Sequence, residues 1–157
     1  MFQSRRKFIK TLCYMASYAL TMAGGTVYSK LAQAVWTKES FATGSFKETI
    51  KRLFNDAPII DSKKIKITRL PRIAENGAMV PITISSSLEN VEKISILVAQ
   101  NPSPLSAEFF LSPQMVAHVS ARLKMAKSGK VIIIVQADGK LYRTSRSVKV
   151  TVGGCGA

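Results

Sequence analysis

Metal-binding and redox residues are scarce in this chain. Its 157 residues include two cysteines, one histidine and one tryptophan. His118 has no second histidine to complete a zinc site, and a lone strand histidine reads as a hydrogen-bonded or surface residue. No Cys-x-x-Cys-His haem attachment and no Gly-rich phosphate loop occur. The nine acidic residues are scattered, and no pair stands out for general acid–base chemistry. A nucleophilic pair would need Cys155 held against His118, yet Cys155 lies between glycines. The residues present do not read as those of an enzyme. They also contain no internal repeat and no low-complexity segment.

The first 34 residues stand apart. Arg5, Arg6, Lys7 and Lys10 precede an uncharged run from Thr11 to Ser29, followed by Ala32-Gln33-Ala34. This is the three-part layout of a secretory leader with a small-x-small cleavage site. Ser4-Arg5-Arg6-Lys7-Phe8-Ile9-Lys10 matches a twin-arginine signal built on Arg5 and Arg6. The uncharged run is about long enough to span a bilayer. Its glycine and serine content argues against a stable anchor, and Ala-Gln-Ala offers a place to cut. The expectation is a cleaved leader over 1–34 and export to the periplasm by the twin-arginine pathway. Cys13 would leave with it.

Five of the 23 basic residues and none of the nine acidic ones lie in 1–34. Residues 35–157 therefore hold 18 basic and nine acidic residues, a net charge of +9. Nucleic acid is the usual partner of such a balance, but an exported protein rarely meets it, so no nucleic-acid role is expected. A basic surface also speeds encounter with anions and acidic partners. Lys63, Lys64, Lys66, Arg122, Lys124, Lys127 and Lys130 each read as solvated strand positions.

Ser45-Phe46-Lys47-Glu48 forms a capping box, and Phe46, Ile50, Leu53 and Phe54 recur on one helical face. Asn55-Asp56-Ala57-Pro58 ends that short helix. Strand patterns follow at Lys63–Ile67, Met79–Ser85, Ile94–Val98, Ala107–Leu111, Val119–Met125, Val131–Ala137 and Leu141–Val152. Asp138-Gly139 is a hairpin turn, and Asn76-Gly77 marks another turn. Six or seven short strands at about ten-residue spacing predict a mainly β protein, an antiparallel β-sandwich with one short N-terminal helix. Trp36 reads as a packing residue or part of a mobile terminus.

The alternation Val148, Val150, Val152 runs into Gly153-Gly154-Cys155-Gly156-Ala157. Cysteine is usually buried, and here it sits on a glycine-flanked tail. With no second cysteine in 35–157, no disulfide can form within that segment, and an odd thiol in an oxidising compartment points to a role. Glycines at 153, 154 and 156 form a flexible arm. Three extended residues carry Cys155 about 10 Å from Val152, and fraying back through Val148 would add more. A thiolate is a strong nucleophile whose S–S bonds later exchange. The competing readings are a frayed tail with an incidental cysteine and a cysteine for an intermolecular disulfide. The latter would make the chain a periplasmic structural or adaptor β-domain.

The tail Val148-Lys149-Val150-Thr151-Val152-Gly153-Gly154-Cys155-Gly156 resembles the C-terminus of the SoxY family. So do the twin-arginine leader, Ile73-Ala74-Glu75-Asn76-Gly77 with Val80-Pro81, Asn101-Pro102-Ser103-Pro104, and Ala137-Asp138-Gly139-Lys140-Leu141-Tyr142. Ala157 departs from the further glycine with which the family typically ends. The resemblance implies an immunoglobulin-like sandwich over 35–152 with a flexible arm at 153–157. It implies a substrate carrier, not a catalyst, for periplasmic thiosulfate oxidation. Cys155 would hold sulfur as a cysteine S-thiosulfonate and then a persulfide, with no metal and no other cofactor. The implied partners are a SoxZ-like subunit in a heterodimer, a SoxXA-type haem enzyme, a SoxB-type hydrolase and a sulfane dehydrogenase.

Overall fold

The computed structural model describes residues 38–152. Arg5, Arg6, Cys13, Trp36, Gly153, Gly154, Cys155 and Gly156 lie outside the described residues. A 3₁₀ turn at Lys38–Phe41 precedes helix α1, Phe46–Phe54. The helix starts where the sequence predicts. Glu48 N–H donates to Ser45 Oγ at 3.2 Å, and Ser45 N–H donates to Glu48 Oε2 at 2.8 Å. Two N-terminal amides are thereby satisfied reciprocally. Asn55, in the left-handed region at φ 50°, closes the other end.

Nine strands follow: β1 (Ile59–Asp61), β2 (Ile65–Arg69), β3 (Ile73–Asn76), β4 (Val80–Ser86), β5 (Val91–Val98), β6 (Leu105–Phe110), β7 (His118–Leu123), β8 (Gly129–Ala137) and β9 (Lys140–Val152). One sheet has the order β1-β9-β8-β5-β6, with β3 joining β9 along its C-terminal part. The other has the order β2-β4-β7. The two sheets pack as a β-sandwich, as the strand spacing predicts, of the immunoglobulin-like form that the family resemblance implies. Between them lies the main core, built by alternate residues such as Ile65, Ile82, Ile84, Ile94, Ile96, Val131, Ile133 and Val135.

The outer face of the larger sheet is also buried. Leu97, Leu105, Ile132, Ile134 and Leu141 meet Phe54 of α1, with Phe46, Ile50 and Leu53 packed against them. This explains why Val131–Val135 is a continuous β-branched run without alternation. A strand covered on both faces has no polar side. At the opposite extreme, β4 alternates buried and half-buried residues because only one face meets the core.

Asp138 (φ 50°) and Gly139 (φ 68°) turn β8 into β9, with Ala137 opposite Lys140. Two positive φ values in a two-residue loop match the right-handed strand twist. Two features were not anticipated from periodicity. Strands β1 and β3 are three and four residues long, and both pair in parallel with β9. Segments that short carry no readable period.

Candidate functional site: the root of the C-terminal arm

Strand β9 leads to residues 153–157, and its last four described residues differ from the rest. Antiparallel pairing with β8 runs as far as Gly129 opposite Val148. Beyond that, β3 supports the strand from the other side, with Ile73 opposite Lys149, Ala74 opposite Val150 and Asn76 opposite Val152. Lys149 N–H donates to Arg72 C=O at 2.8 Å, and Gly77 N–H donates to Val152 C=O at 2.8 Å. The Thr151 hydroxyl donates to Glu75 C=O at 2.9 Å. On the side that β8 leaves, Ser128 takes its place. Val150 N–H donates to Ser128 Oγ at 2.9 Å, and that hydroxyl donates to Val150 C=O at 3.3 Å.

The side chains follow the same progression. Val148 is 2% exposed and Val152 is 61% exposed, with Val150 between them half-buried against the main core. The strand thus leaves the core over four residues while its backbone stays bonded. The described chain is bonded as far as Val152. From there to Cys155 is three residues, or about 10 Å when extended. Sequence periodicity missed this clamp, because β3 lies some 75 residues earlier in the chain and Ser128 acts through one hydroxyl.

The other residues noted in the sequence are placed apart. His118 is exposed at the start of β7, opposite Ser85 of β4. Lys63, Lys64, Lys66, Arg122, Lys124, Lys127 and Lys130 are all exposed. Among the described residues no group of three His, Cys, Asp or Glu side chains could hold a metal ion. No described helix is long and apolar enough to cross a membrane. Two charged pairs that the sequence did not reveal are the exposed Arg143–Asp61 at 2.8 Å and Lys93–Glu108 at 3.3 Å, the latter largely shielded from solvent and joined by the buried Ser95 hydroxyl.

Comparison with known proteins gives the family. The family model for the sulfur oxidation protein SoxY matches residues 50–155, a span that ends on Cys155. The sulfur carrier protein SoxY from Chlorobium limicola f thiosulfatophilum is 44% identical, with a TM-score of 0.61, over 68% of this chain and 96% of that one. A superoxide reductase (neelaredoxin) from Ignicoccus hospitalis is 16% identical, with a TM-score of 0.50, over 68% of this chain and 98% of that one. At that identity the likeness speaks to the fold alone. No curated protein sequence gives a significant match. With a matching family model over two thirds of its length and a solved relative of the same fold, the chain belongs to the SoxY family of sulfur oxidation proteins.

Proposed function

We propose that this chain is the covalent carrier of sulfur intermediates in periplasmic thiosulfate oxidation, with Cys155 as the attachment point. The observation that carries the reading is the contrast at Val152. A backbone bonded on β3 up to Val152 C=O is followed within three residues by the sole cysteine of 35–157. A fixed root and a Gly153-Gly154 hinge let a thiol enter a narrow site on another protein while the sandwich stays outside. Membership of the SoxY family supports a carrier role in sulfur oxidation.

The chemistry belongs to the partners. A SoxXA-type haem enzyme joins the Cys155 thiolate to the sulfane sulfur of thiosulfate, forming one S–S bond and passing two electrons to the haem protein. Water then attacks the terminal sulfonate under a SoxB-type hydrolase. The bond between the sulfane and sulfonate sulfurs breaks, sulfate leaves with the water oxygen, and the Cys155–sulfane bond stays as a persulfide that takes a proton from the water. A sulfane dehydrogenase, or a storage route, removes the remaining sulfur. A SoxZ-like subunit completes the carrier as a heterodimer, exported by the Arg5-Arg6 signal with cleavage after Ala34. The basic balance of 35–157 favours encounter with anionic substrates and acidic surfaces.

The test is an intact mass spectrum of the protein from thiosulfate-grown cells, before and after reductant. The reading expects a mature chain starting at Val35 with a reductant-labile sulfur or thiosulfate adduct mapped to Cys155. An unmodified mass, or only a disulfide-linked dimer, would replace it with the adaptor reading.

A further inference from the structure

Beside the arm root, on the outer face of the larger sheet, lies a groove of about 530 Å³. Arg72, Lys130 and Lys149 line it, and no acidic residue does. The backbone sets the three together. Arg72 C=O accepts the Lys149 N–H, and Lys130 is the register partner of Ser147, two residues before Lys149. None of the three side chains has an ion-pair or hydrogen-bond partner among the described residues. Arg143 holds Asp61, Lys93 holds Glu108, and Arg146 donates to the carbonyls of Ile67 and Leu70, while exposed cations such as Lys66 and Arg122 are also without a partner among the described residues. What sets these three apart is that they line one groove beside the end of β9.

The floor is shaped as well as charged. Gly129 lies under Gln100, and a Cβ at that position would fall 2.6 Å from Gln100 Cγ. A side chain at that position would force Gln100 to shift. The geometry points to this groove as the resting site of a sulfur oxoanion carried on Cys155, the terminal sulfonate of an S-thiosulfonate. The inference rests on the carrier reading. Lys149 is three residues before Val152 and Cys155 three after it, so an arm doubled back through Gly153-Gly154 can bring its cargo to Lys149. A sulfonate offers several oxygens to the three cations, whereas a persulfide presents a single sulfur. Loss of sulfate would then release the arm, so the groove would sort the carrier by its cargo.

The test uses synthetic adducts on the mature protein, so it does not depend on sulfur loading in the cell. Cys155 is converted to a sulfonatoethyl disulfide or to a neutral methyl disulfide, and backbone amide shifts are compared by NMR. The sulfonate adduct should move the amides of Arg72, Gly129, Lys130 and Lys149, and the methyl adduct should not. The difference should vanish in Lys130→Gln/Lys149→Gln, whose remaining spectrum reports an intact fold. Gly129→Ala, which displaces Gln100 without changing charge, should also lose it. Raising salt from about 0.1 to about 1 M shortens the screening length from about 10 to about 3 Å and should collapse the difference. Equal shifts for both adducts, or none, overturn the inference. Saturation of the same amides by free thiosulfate below about 1 mM, less than the effective concentration of a short tether, would make this a site for the free ion and overturn it too. An unloaded Cys155 in cells would instead count against the carrier reading alone.

Discussion

Removing the Glu108 carboxylate should destabilise the sandwich far more than an exposed ion pair would suggest. Ser95, fully buried on β5, donates its hydroxyl to Glu108 Oε1 at 3.0 Å. The same oxygen lies 3.3 Å from Lys93 Nζ, and the two charged side chains are only 17% and 11% exposed. The Lys93 ammonium also sits 5.4 Å from the Phe54 ring and 5.8 Å from that of Phe110. In Glu108→Ala the Ser95 hydroxyl loses its acceptor, worth about 1–3 kcal/mol when buried. Lys93 is left unpaired, and breaking a fully buried pair costs about 3–5 kcal/mol. These penalties overlap, and Lys93 is close enough to solvent to swing partly into water, so the expected loss is about 3 kcal/mol. At roughly 4 °C per kcal/mol for a domain of this size, the Tm should fall by about 12 °C. Glu108→Gln retains an acceptor and should lose about 1 kcal/mol. The triple variant Lys93→Met/Ser95→Ala/Glu108→Leu removes every polar member together and should lie within about 2 kcal/mol of the parent. Urea unfolding of the set gives the comparison. If Glu108→Ala costs less than about 0.5 kcal/mol, or the triple variant is as unstable as the single one, the cluster is not acting as a closed polar unit.

Other outcomes follow from single features. Ile133→Ala, at a site with no exposure in the main core, should cost about 3–4 kcal/mol in urea unfolding. Gly139→Ala places a Cβ in open space but at φ +68°, so calorimetry should show a purely backbone penalty of about 1 kcal/mol. Hydrogen bonding from Arg143 lowers the Asp61 carboxyl below its ordinary value. A depressed carboxylate contributes stability above its unfolded pKa and loses it as pH falls through the folded pKa. Asp61→Asn should therefore narrow the gap between Tm at neutral pH and Tm below about pH 4; an unchanged acid limb would assign the loss to other groups. Cys155→Ser should abolish the sulfur adduct and thiosulfate oxidation in cells while leaving Tm unchanged.

Local chemistry was legible in the sequence and distant pairing was not. The Ser45–Glu48 box and the Asp138-Gly139 turn act over a few residues, so their residue types suffice to place them. The Val131–Val135 run announced a strand covered on both faces, because no polar side chain interrupts it. Strands β1 and β3 were not anticipated, since each is defined by a partner 76 or more residues away. The same distance concealed the cationic groove: Arg72, Lys130 and Lys149 are unremarkable where they stand in the chain and acquire meaning only when β3, β8 and β9 meet. Lys93–Glu108 was hidden by cross-strand register, which places Ser95 opposite Glu108 and Lys93 opposite Phe110. Cys155 stands as the proposed attachment point on its identity, its glycine neighbours and the family, not on a described geometry.

The parallel seam between β3 and β9 also bears on how the molecule is made. Strand β9 pairs with β1, β3 and β8, and all three precede it in the chain. During synthesis they emerge first and must wait for the strand that joins them. Such long-range closure slows folding and prolongs the exposure of unpaired edges. A protein interrupted before residue 149 would lack the ladder partner of β3 and the arm together. The seam between β3 and the end of β9 is thus among the last pairings the sandwich can close, because its second strand is made after every other strand it joins.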